Sequence, residues 1–179
     1  MSLPPVRGPL GYRALTFKVD GTYASPLFPD FIWAKNGVAE AECPTCREDC
    51  PGLPKSWKAR LPQPLWPHCT CASVLGQGCG IYAAKHLSIA TPYAAPNRVL
   101  LPTAMLLVEG RGKFILLEGE DPEIEAGFKC RQALIRAVVW LDFARVYGTT
   151  QIGQFEQATH AAARYFGRQM VTLAAASAA

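Results

Sequence analysis

The stretch RVLLPTAMLLVEGRGKFILLEG, residues 98–119, contains two apolar runs that flank Gly110-Arg111-Gly112. Apolar runs bounded by glycine are typical of strands, and closely spaced glycines are typical of the turn between two strands. We therefore predict a β-hairpin here. A second hairpin is predicted within residues 11–33, where YRALTFKV is followed by Asp20-Gly21, a dipeptide that favours tight turns because it tolerates positive φ.

The composition is that of a globular chain able to bury a core. The 179 residues are 50% hydrophobic, and the formal net charge of +4 is far below that of a dedicated polyanion binder. No apolar run approaches the ~20 residues that a transmembrane helix needs, so we expect no contact with a membrane. The N-terminal residues lack the pattern of a secretory signal, and we expect a cytoplasmic protein whose thiols stay reduced.

Residues 39–79 lack the periodicity of helices and strands. They hold six of the seven cysteines, and prolines at positions 44, 51, 54, 62, 64 and 67 exclude a long helix or a central strand. A loop of this length is uncommon in a compact domain unless something holds it, so either it is flexible or a cross-link orders it. Reduced thiols and an odd cysteine count disfavour disulfides, so we predict a metal-stapled loop at about residues 39–86. The seventh cysteine, Cys130, stands apart among apolar residues and is predicted to be buried and structural.

The cysteine spacings predict a structural zinc site. Cys43 and Cys46 form a CxxC pair, in which two intervening residues allow both sulfurs to face one ion. A tetrahedral site needs a second ligand pair from a distant segment, and Cys71 and Cys79 stand at a suitable separation. An iron–sulfur cluster is the less favoured cofactor, and two ions sharing all the candidates are a further alternative. The alternate ligands are His68, Cys69 and Cys50.

Cys79 precedes GIYAAKHL, which we predict to be a short helix. A thiol at a helix N-terminus has a lowered pKa, which suits a metal ligand in a treble-clef-like arrangement. The same position suits the nucleophile of a cysteine-dependent hydrolase or transferase. Only His86 and His160 follow as candidate bases, and a nucleophile gives no reason for six clustered cysteines. We therefore predict no catalytic residue.

Residues 151–179 are predicted to form a long helix. Apolar residues recur there at helical spacing, whereas His160, Arg164 and Arg168 lie four apart on another face. We expect the apolar stripe to pack on the core and the basic stripe to be solvated, with contact between Arg164, Arg168 and nucleic-acid phosphates as the minority alternative. Residues 131–136 also favour a helix. The apolar stripe consists of Phe155, Thr159, Ala162, Phe166, Met170 and Leu173.

The order of several short motifs resembles that of a family of uncharacterised actinobacterial and phage-associated proteins. GYR near the start, Trp33, AEC ending at Cys43, His68, CGIYAAK and GFKCRQA are similar to a pattern of the type GYR–W–AxC–H–CxCGIYA–GYRAxxA over residues 11–133. The chain departs from this pattern where ASVLGQG separates Cys71 from Cys79. The resemblance implies a shared fold and site, a strand rather than a helix at GFKCRQALI, and His68 as a ligand beside Cys43. It implies no activity.

Together these features predict an α+β fold: a small antiparallel sheet of hairpins, a Cys/Pro-rich metal-stapled loop and a long C-terminal helix. We expect one domain over residues 1–150, with the helix at 151–179 packed on it or extending from it. The predicted function is that of a zinc-stabilised, non-catalytic interaction module, phage- or mobile-element-derived, that binds a protein partner. The alternatives are a nucleic-acid-binding regulator with a structural zinc and a cysteine-dependent enzyme that uses Cys79. The sequence does not indicate an oligomeric state.

Overall fold

The computed structural model describes residues 4–26, 31–41, 80–93, 102–117, 126–142 and 152–172. Half of the chain described there is in strands and a fifth is in helices. The elements, in chain order, are β1 (Leu10–Phe17), β2 (Tyr23–Ala24), β3 (Val38–Glu40), β4 (Ile81–Ala84), α1 (Leu87–Ala90), β5 (Thr103–Leu117), β6 (Gly127–Trp140), α2 (Ile152–Phe166) and β7 (Met170–Thr172). A short 3-10 helix, Thr91–Tyr93, follows α1 directly.

Four of the strands form a closed ring, called the strand ring below. β5 pairs antiparallel with β1 on one edge and with β6 on the other. β4 pairs antiparallel with β6, and its last residue, Ala84, pairs with Tyr12 of β1. The ring order is therefore β1–β5–β6–β4, and β2 extends β1 outside it. β6 also pairs with β3 and, in parallel, with β7, so it joins more strands than any other described element.

Two irregularities in the pairing of β5 with β6 bend this long hairpin. At the first, Leu107 pairs with Ala137 and Val108 with Ile135, so Arg136 is an extra residue on β6. An extra residue on one strand is a β-bulge, which bends the strand and increases its twist. The bend allows strands of 15 and 14 residues to curve around one core instead of forming a flat ribbon.

The second irregularity lies at the glycines that suggested a turn. Between Arg111 and Phe114, two residues of β5, Gly112 and Lys113, stand opposite a single residue of β6. Gly112 has φ +66°, a left-handed conformation that residues with a Cβ rarely adopt. The predicted hairpin around residues 110–112 is therefore wrong. The chain bends there, continues as one strand and pairs with the strand that begins at Gly127.

The predicted N-terminal hairpin is confirmed. β1 and β2 pair at Phe17 and Tyr23, and Gly21 has φ +80° in the turn between them. The Asp20 carboxylate accepts hydrogen bonds from the backbone N–H and the hydroxyl of Thr22, at 2.9 and 2.6 Å. A carboxylate that bonds the backbone two residues later stabilises a tight reversal, which is the reason that aspartate favours turns.

An apolar cluster fills the inner side of the strand ring, and α2 packs against it. Leu15, Ile81 and Leu106 line the cluster from three strands, and Phe166 enters it from the helix. Tyr23 is fully buried, with its hydroxyl donating to a carbonyl of α2 at 2.6 Å and its ring centroid 5.2 Å from that of Phe166. Burial of these large side chains is the main force that holds the helix to the sheet.

The C-terminal helix is shorter than predicted. α2 ends at Phe166, because Gly167 takes φ +59° and its N–H donates to the Arg164 carbonyl at 3.3 Å, while the Arg168 N–H donates to the Ala163 carbonyl at 3.0 Å. This pair of bonds is a Schellman motif, which terminates a helix at a glycine. The chain then continues into β7. Of the predicted stripe, Phe155, Thr159, Ala162 and Phe166 are buried, Met170 is exposed in β7, and Leu173 lies outside the described residues.

The predicted fold class is wrong. One mixed seven-stranded sheet dominates the described ranges, and their elements include neither a long C-terminal helix nor a metal-stapled loop. GIYAAKHL does not form the short helix expected after Cys79, since its first part is β4 and α1 begins only at Leu87. Residues 131–136 lie within β6, where pairing on both edges overrides the local preference for a helix. The domain limit at residue 150 stays a prediction.

We predict that Gly112→Ala lowers the free energy of unfolding by about 1–2 kcal/mol, because alanine is strained at a left-handed φ. Gly153→Ala is the matched control, since Gly153 lies in α2 with no heavy atom within 4 Å of an added Cβ. Alanine there should leave the stability unchanged or raise it slightly. Urea unfolding followed by circular dichroism measures both variants, and equal effects would contradict the role of the bulge.

Candidate binding surface

The second half of β5 has one edge that pairs with no other strand in the described part of the chain. β5 pairs with β1 from Thr103 to Glu109, and the last bond on this edge runs from the Gly110 N–H to the Pro9 carbonyl, at 2.9 Å. Beyond it, β5 pairs only with β6 among the described strands. An unpaired edge presents N–H and C=O groups that can pair with a further strand. We call residues 111–117 the free edge.

Three consecutive apolar side chains on the free edge are exposed. Phe114, Ile115 and Leu116 expose 41%, 37% and 63% of their surface. Phe114 pairs with Cys130 and Leu116 with Phe128, and both of these β6 residues belong to the core cluster. Directly opposite residues in an antiparallel pair share a face. Phe114 and Leu116 therefore lie on the inner, apolar face of the sheet, at its solvent-exposed end.

The charged residues on and beside the free edge are basic. Lys113 is exposed in the second bulge, and Lys129 pairs with Ile115 on the neighbouring strand. Neither lysine forms a salt bridge with another described residue. Arg131 lies 3.4 Å from Glu40, but both side chains are exposed, and such a pair contributes little free energy. This surface therefore attracts negatively charged groups.

A buried carboxylate directs the N-terminal segment away from the free edge. Glu109 is fully buried, its Oε1 accepts a hydrogen bond from the Arg7 N–H at 2.7 Å, and its Oε2 pairs with the Arg136 guanidinium. Arg136 also donates to the Pro5 carbonyl, at 3.0 Å. Arg136 is the bulge residue of β6. Residues 4–9, called the arm below, contact Glu109 of β5 and Arg136 of β6, so they cross from β5 towards β6. The arm does not continue along the edge of β5.

The Glu109 carboxylate is charged at neutral pH. Burial alone would raise its pKa, but the Arg7 N–H and the Arg136 guanidinium outweigh burial, so the pKa lies below its usual value. Arg111 adds to this effect, with its Nε 3.4 Å from Oε2. The cluster is thus a buried ion pair whose carboxylate is also hydrogen-bonded, the condition under which a buried charge is tolerated.

The inner side of the strand ring holds a second, half-buried arginine and a buried thiol. The Arg13 guanidinium donates to the Tyr82 carbonyl and, at 3.0 Å, to the Ser25 hydroxyl, and burial lowers its pKa to about 10. Cys130 is free and buried, and burial raises the pKa of its thiol to about 11. A protonated thiol of this kind is a poor nucleophile. The prediction that Cys130 is a buried structural residue is confirmed.

The seven predicted metal ligands lie outside the described residues, so which of them share an ion stays a prediction. They are Cys43, Cys46, Cys50, His68, Cys69, Cys71 and Cys79. The zinc-based, treble-clef-like organisation is wrong for the part of the chain that the structure describes, where no group of three or more His, Cys, Asp or Glu side chains could hold a metal ion. The treble-clef comparison needed a helix directly after Cys79, and β4 stands in its place.

One of the two predicted phosphate-binding arginines has a structural role. Arg168 donates to the Ile135 carbonyl at 2.8 Å, to the Phe166 carbonyl at 3.1 Å and to the Asn36 carbonyl. It thereby joins the end of α2 to β6 and to the segment that precedes β3. Arg164 is exposed on α2. Most donors of Arg168 are thus engaged by carbonyls, and contact between these two arginines and nucleic-acid phosphates stays a prediction.

Sequence reasoning missed the free edge. The run FILL was assigned to a strand, and a continuous apolar run normally indicates burial on both faces. Only the pairing of the strands shows that one edge lacks a neighbour. Lys113, beside the run, was the available signal, because lysine is common on exposed edge strands, where it opposes aggregation.

No protein-family model matches the sequence, and neither a curated protein nor a solved structure matches it. The resemblance inferred from the GYR, CGIYAAK and GFKCRQA motifs therefore stays a prediction. Among the described helices, none is long and apolar enough to cross a membrane.

We predict that Arg168→Ala lowers the free energy of unfolding by about 2–3 kcal/mol, because it leaves three carbonyls without their charged donor. Arg164→Ala removes the same charge from an exposed position and should change stability by less than about 0.5 kcal/mol. Urea unfolding of both variants at neutral pH measures the difference. Similar stabilities of the two variants would contradict the structural role of Arg168.

We predict that Glu109→Gln costs about 3 kcal/mol at neutral pH, because it leaves the buried Arg136 guanidinium without its counter-ion. The folded pKa of Glu109 lies below the unfolded value of about 4.3, so its contribution is fully present above that pH and is lost as the pH falls below it. The stability gap between wild type and variant should therefore narrow on acidification. Glu40→Gln, at a side chain 56% exposed, is the control and should cost less than about 1 kcal/mol.

Urea unfolding at a series of pH values between neutral and acidic conditions measures this gap. A gap that stays constant across the whole range would contradict the assignment of the ion pair to Glu109.

Proposed function

We propose that this chain is a non-catalytic protein-interaction module that binds an extended segment of a partner protein at the free edge. In this mode of binding the partner adds a strand to the sheet, with main-chain hydrogen bonds supplying affinity and alternate side chains supplying specificity. The observation that carries the proposal is the exposure of Phe114, Ile115 and Leu116 together on an edge without a described neighbour.

A structural explanation of the exposed run is less satisfactory. Single exposed apolar residues are common on soluble proteins and need no special account. Here three are consecutive, two continue the core face of the sheet, and no described strand pairs with the backbone groups of the edge beside them. Proteins usually shield such an edge, because it otherwise promotes aggregation. A partner strand satisfies the backbone and covers the apolar side chains at the same time.

The charges define the chemistry of the partner. Lys113 and Lys129 place positive charge on and beside the free edge, and Arg131 adds to it on β6. A bound segment with apolar residues in alternation and acidic residues near them complements this surface. The interaction should weaken as salt rises, because the lysines are solvent-accessible and their attraction is screened.

The two alternative functions have less support. A nucleic-acid regulator that uses Arg164 and Arg168 is disfavoured, because carbonyls already engage Arg168. For a cysteine-dependent enzyme, Cys79 lies outside the described residues, and Cys130 carries a protonated, buried thiol. We also propose a cytoplasmic location, where the seven cysteines would stay reduced.

We predict that selection from a displayed library of short random peptides yields apolar, acidic sequences that bind the wild-type chain. Leu116→Asp should weaken their binding by about tenfold or more, because it places a charge at the centre of the apolar run. Val19→Asp makes the same change at a side chain 97% exposed in the turn after β1 and should leave binding unchanged. Fluorescence anisotropy with labelled peptides measures the dissociation constants.

Circular dichroism checks that both variants fold, which is expected because both side chains are exposed. Peptides that bind the Leu116→Asp chain as tightly as the wild type would overturn the proposal, because the binding surface would then lie elsewhere.

A further inference from the structure

We infer that the free edge binds the C-terminal end of a partner protein, antiparallel to β5, with apolar and acidic residues of the partner in alternation. This inference rests on the proposed function and adds the orientation and the chain end of the bound segment. Three features of the described residues support it: the different chemistry of the two sheet faces, the closure of the edge at Gly110, and the position of the positive charges.

The two faces of the sheet differ at the free edge. Phe114 and Leu116 lie on the inner face, together with their apolar partners on β6. Successive side chains of a strand point to opposite faces, so Lys113 and Ile115 lie on the outer face, where Ile115 pairs with Lys129. The side chains of an added strand alternate in the same way. Its inner residues therefore meet apolar side chains, and its outer residues meet the two lysines.

The arm closes the free edge at one end. β1 pairs with the same edge of β5, and beyond that pairing the Gly110 N–H donates to the Pro9 carbonyl at 2.9 Å. The preceding residue of the arm packs so closely on β5 that a Cβ on Gly8 would collide with the Gly110 carbonyl oxygen. A strand added at the free edge therefore lies in line with β1 and meets the arm at one end. There it has to end or to leave the sheet.

The charges at the closed end favour a carboxylate. Arg111 and Lys113 begin the free edge, and Arg131 stands opposite the bulge between them. Glu109 approaches Arg111, and Glu40 approaches Arg131, at 3.4 Å in each case. Lys113 forms no salt bridge with any residue that the structure describes. Positive charge is therefore in excess at this end, and Lys113 is the cation available to an incoming carboxylate.

The orientation of the bound segment follows from these charges. A segment parallel to β5 brings its N-terminal ammonium to the closed end, where the basic side chains repel it. A segment antiparallel to β5 brings its C-terminal carboxylate there instead, and the attraction favours this arrangement. A chain that ends at this point also avoids the arm. Both described neighbours of the long strand β5, β1 and β6, are antiparallel to it as well.

Synthetic peptides test which end of the bound segment meets the arm. The parent peptide is as long as the free edge, with valine at even and glutamate at odd positions, an acetylated N-terminus and a free C-terminal carboxylate. Amidation of that carboxylate should weaken binding about fivefold at low salt and less at high salt, because an exposed charge pair is lost. A glycine pair added at the C-terminus should weaken binding by about tenfold or more, because it runs into the arm. The same pair added at the N-terminus should change nothing.

Lys113→Gln identifies the cation that the carboxylate meets. On this variant the free and amidated peptides should bind almost equally, because the coupling between lysine and carboxylate is absent. Arg164→Gln is the matched control: it removes a positive charge from an exposed position on α2 and should keep the difference of about fivefold. Fluorescence anisotropy measures the dissociation constants, and circular dichroism checks the fold of both variants.

A peptide of the same composition, with its valines and glutamates separated into two blocks, tests the alternation. It should bind about tenfold more weakly than the parent peptide, because it places glutamates on the apolar inner face. Equal binding of these two peptides overturns the inference. It is also overturned by equal binding of the free and amidated peptides, by equal binding of the two glycine-extended peptides, or by a parent peptide that does not bind.

The peptides selected from the random library separate this inference from the proposed function. If they bind the wild type and lose binding to the Leu116→Asp chain while the chain end has no effect, the proposed function stands and the C-terminal inference fails. If they bind both chains equally, the surface lies elsewhere and both proposals fail.

Discussion

The structure depends on how many neighbours β5 has along its length. Its first half is bonded on both edges, to β1 and to β6, whereas its second half is bonded to β6 alone among the described strands. The change occurs at Gly110 and is followed at once by the bulge at Gly112. Every backbone N–H and C=O group in a sheet needs a partner or water. The first half of β5 therefore only holds the sheet together, whereas the second half can also hydrogen-bond to a further strand.

Several features around that point act together. Arg136, the extra residue of the first bulge, pairs with the buried Glu109 and holds the arm across the sheet. The glycine of the second bulge allows a bend without ending the strand. The pairing of Phe114 with Cys130 then carries the inner face outward to solvent. One bulge thus keeps the arm off the free edge, and the other brings apolar side chains to it.

Local signals in the sequence were sufficient for some parts of this arrangement. The turn at Asp20-Gly21 was predictable because its chemistry is contained in a few adjacent residues. The buried stripe from Phe155 to Phe166 was predictable from its helical period. Gly167 also carried a readable stop signal, since glycine after the last periodic residue commonly ends a helix, and the prediction of a helix to residue 179 overlooked it.

Other parts depend on pairing between distant segments and were not readable locally. Glycines at 110 and 112 suit a turn or a bulge equally well, and only the pairing with β6 decides between them. Residues 131–136 have a mixed period, and bonding on both edges makes them a strand. The segment after Cys79 followed the same rule, since its pairing with β6 and β1 replaced the expected helix. The cysteine cluster lies outside the described residues, whereas the candidate surface lies in an ordinary apolar run.

Backbone amide hydrogen exchange along β5, measured by NMR on the Leu116→Asp chain, tests the central claim most directly, because a charge in the apolar run should prevent another strand from binding at the free edge. The account predicts slow exchange throughout residues 105–109, where both edges are bonded. It predicts alternating slow and fast amides over residues 113–117, since successive N–H groups point to opposite edges and only one edge is bonded. Uniformly slow exchange over residues 113–117 would contradict the account, because it would show that this edge is already covered.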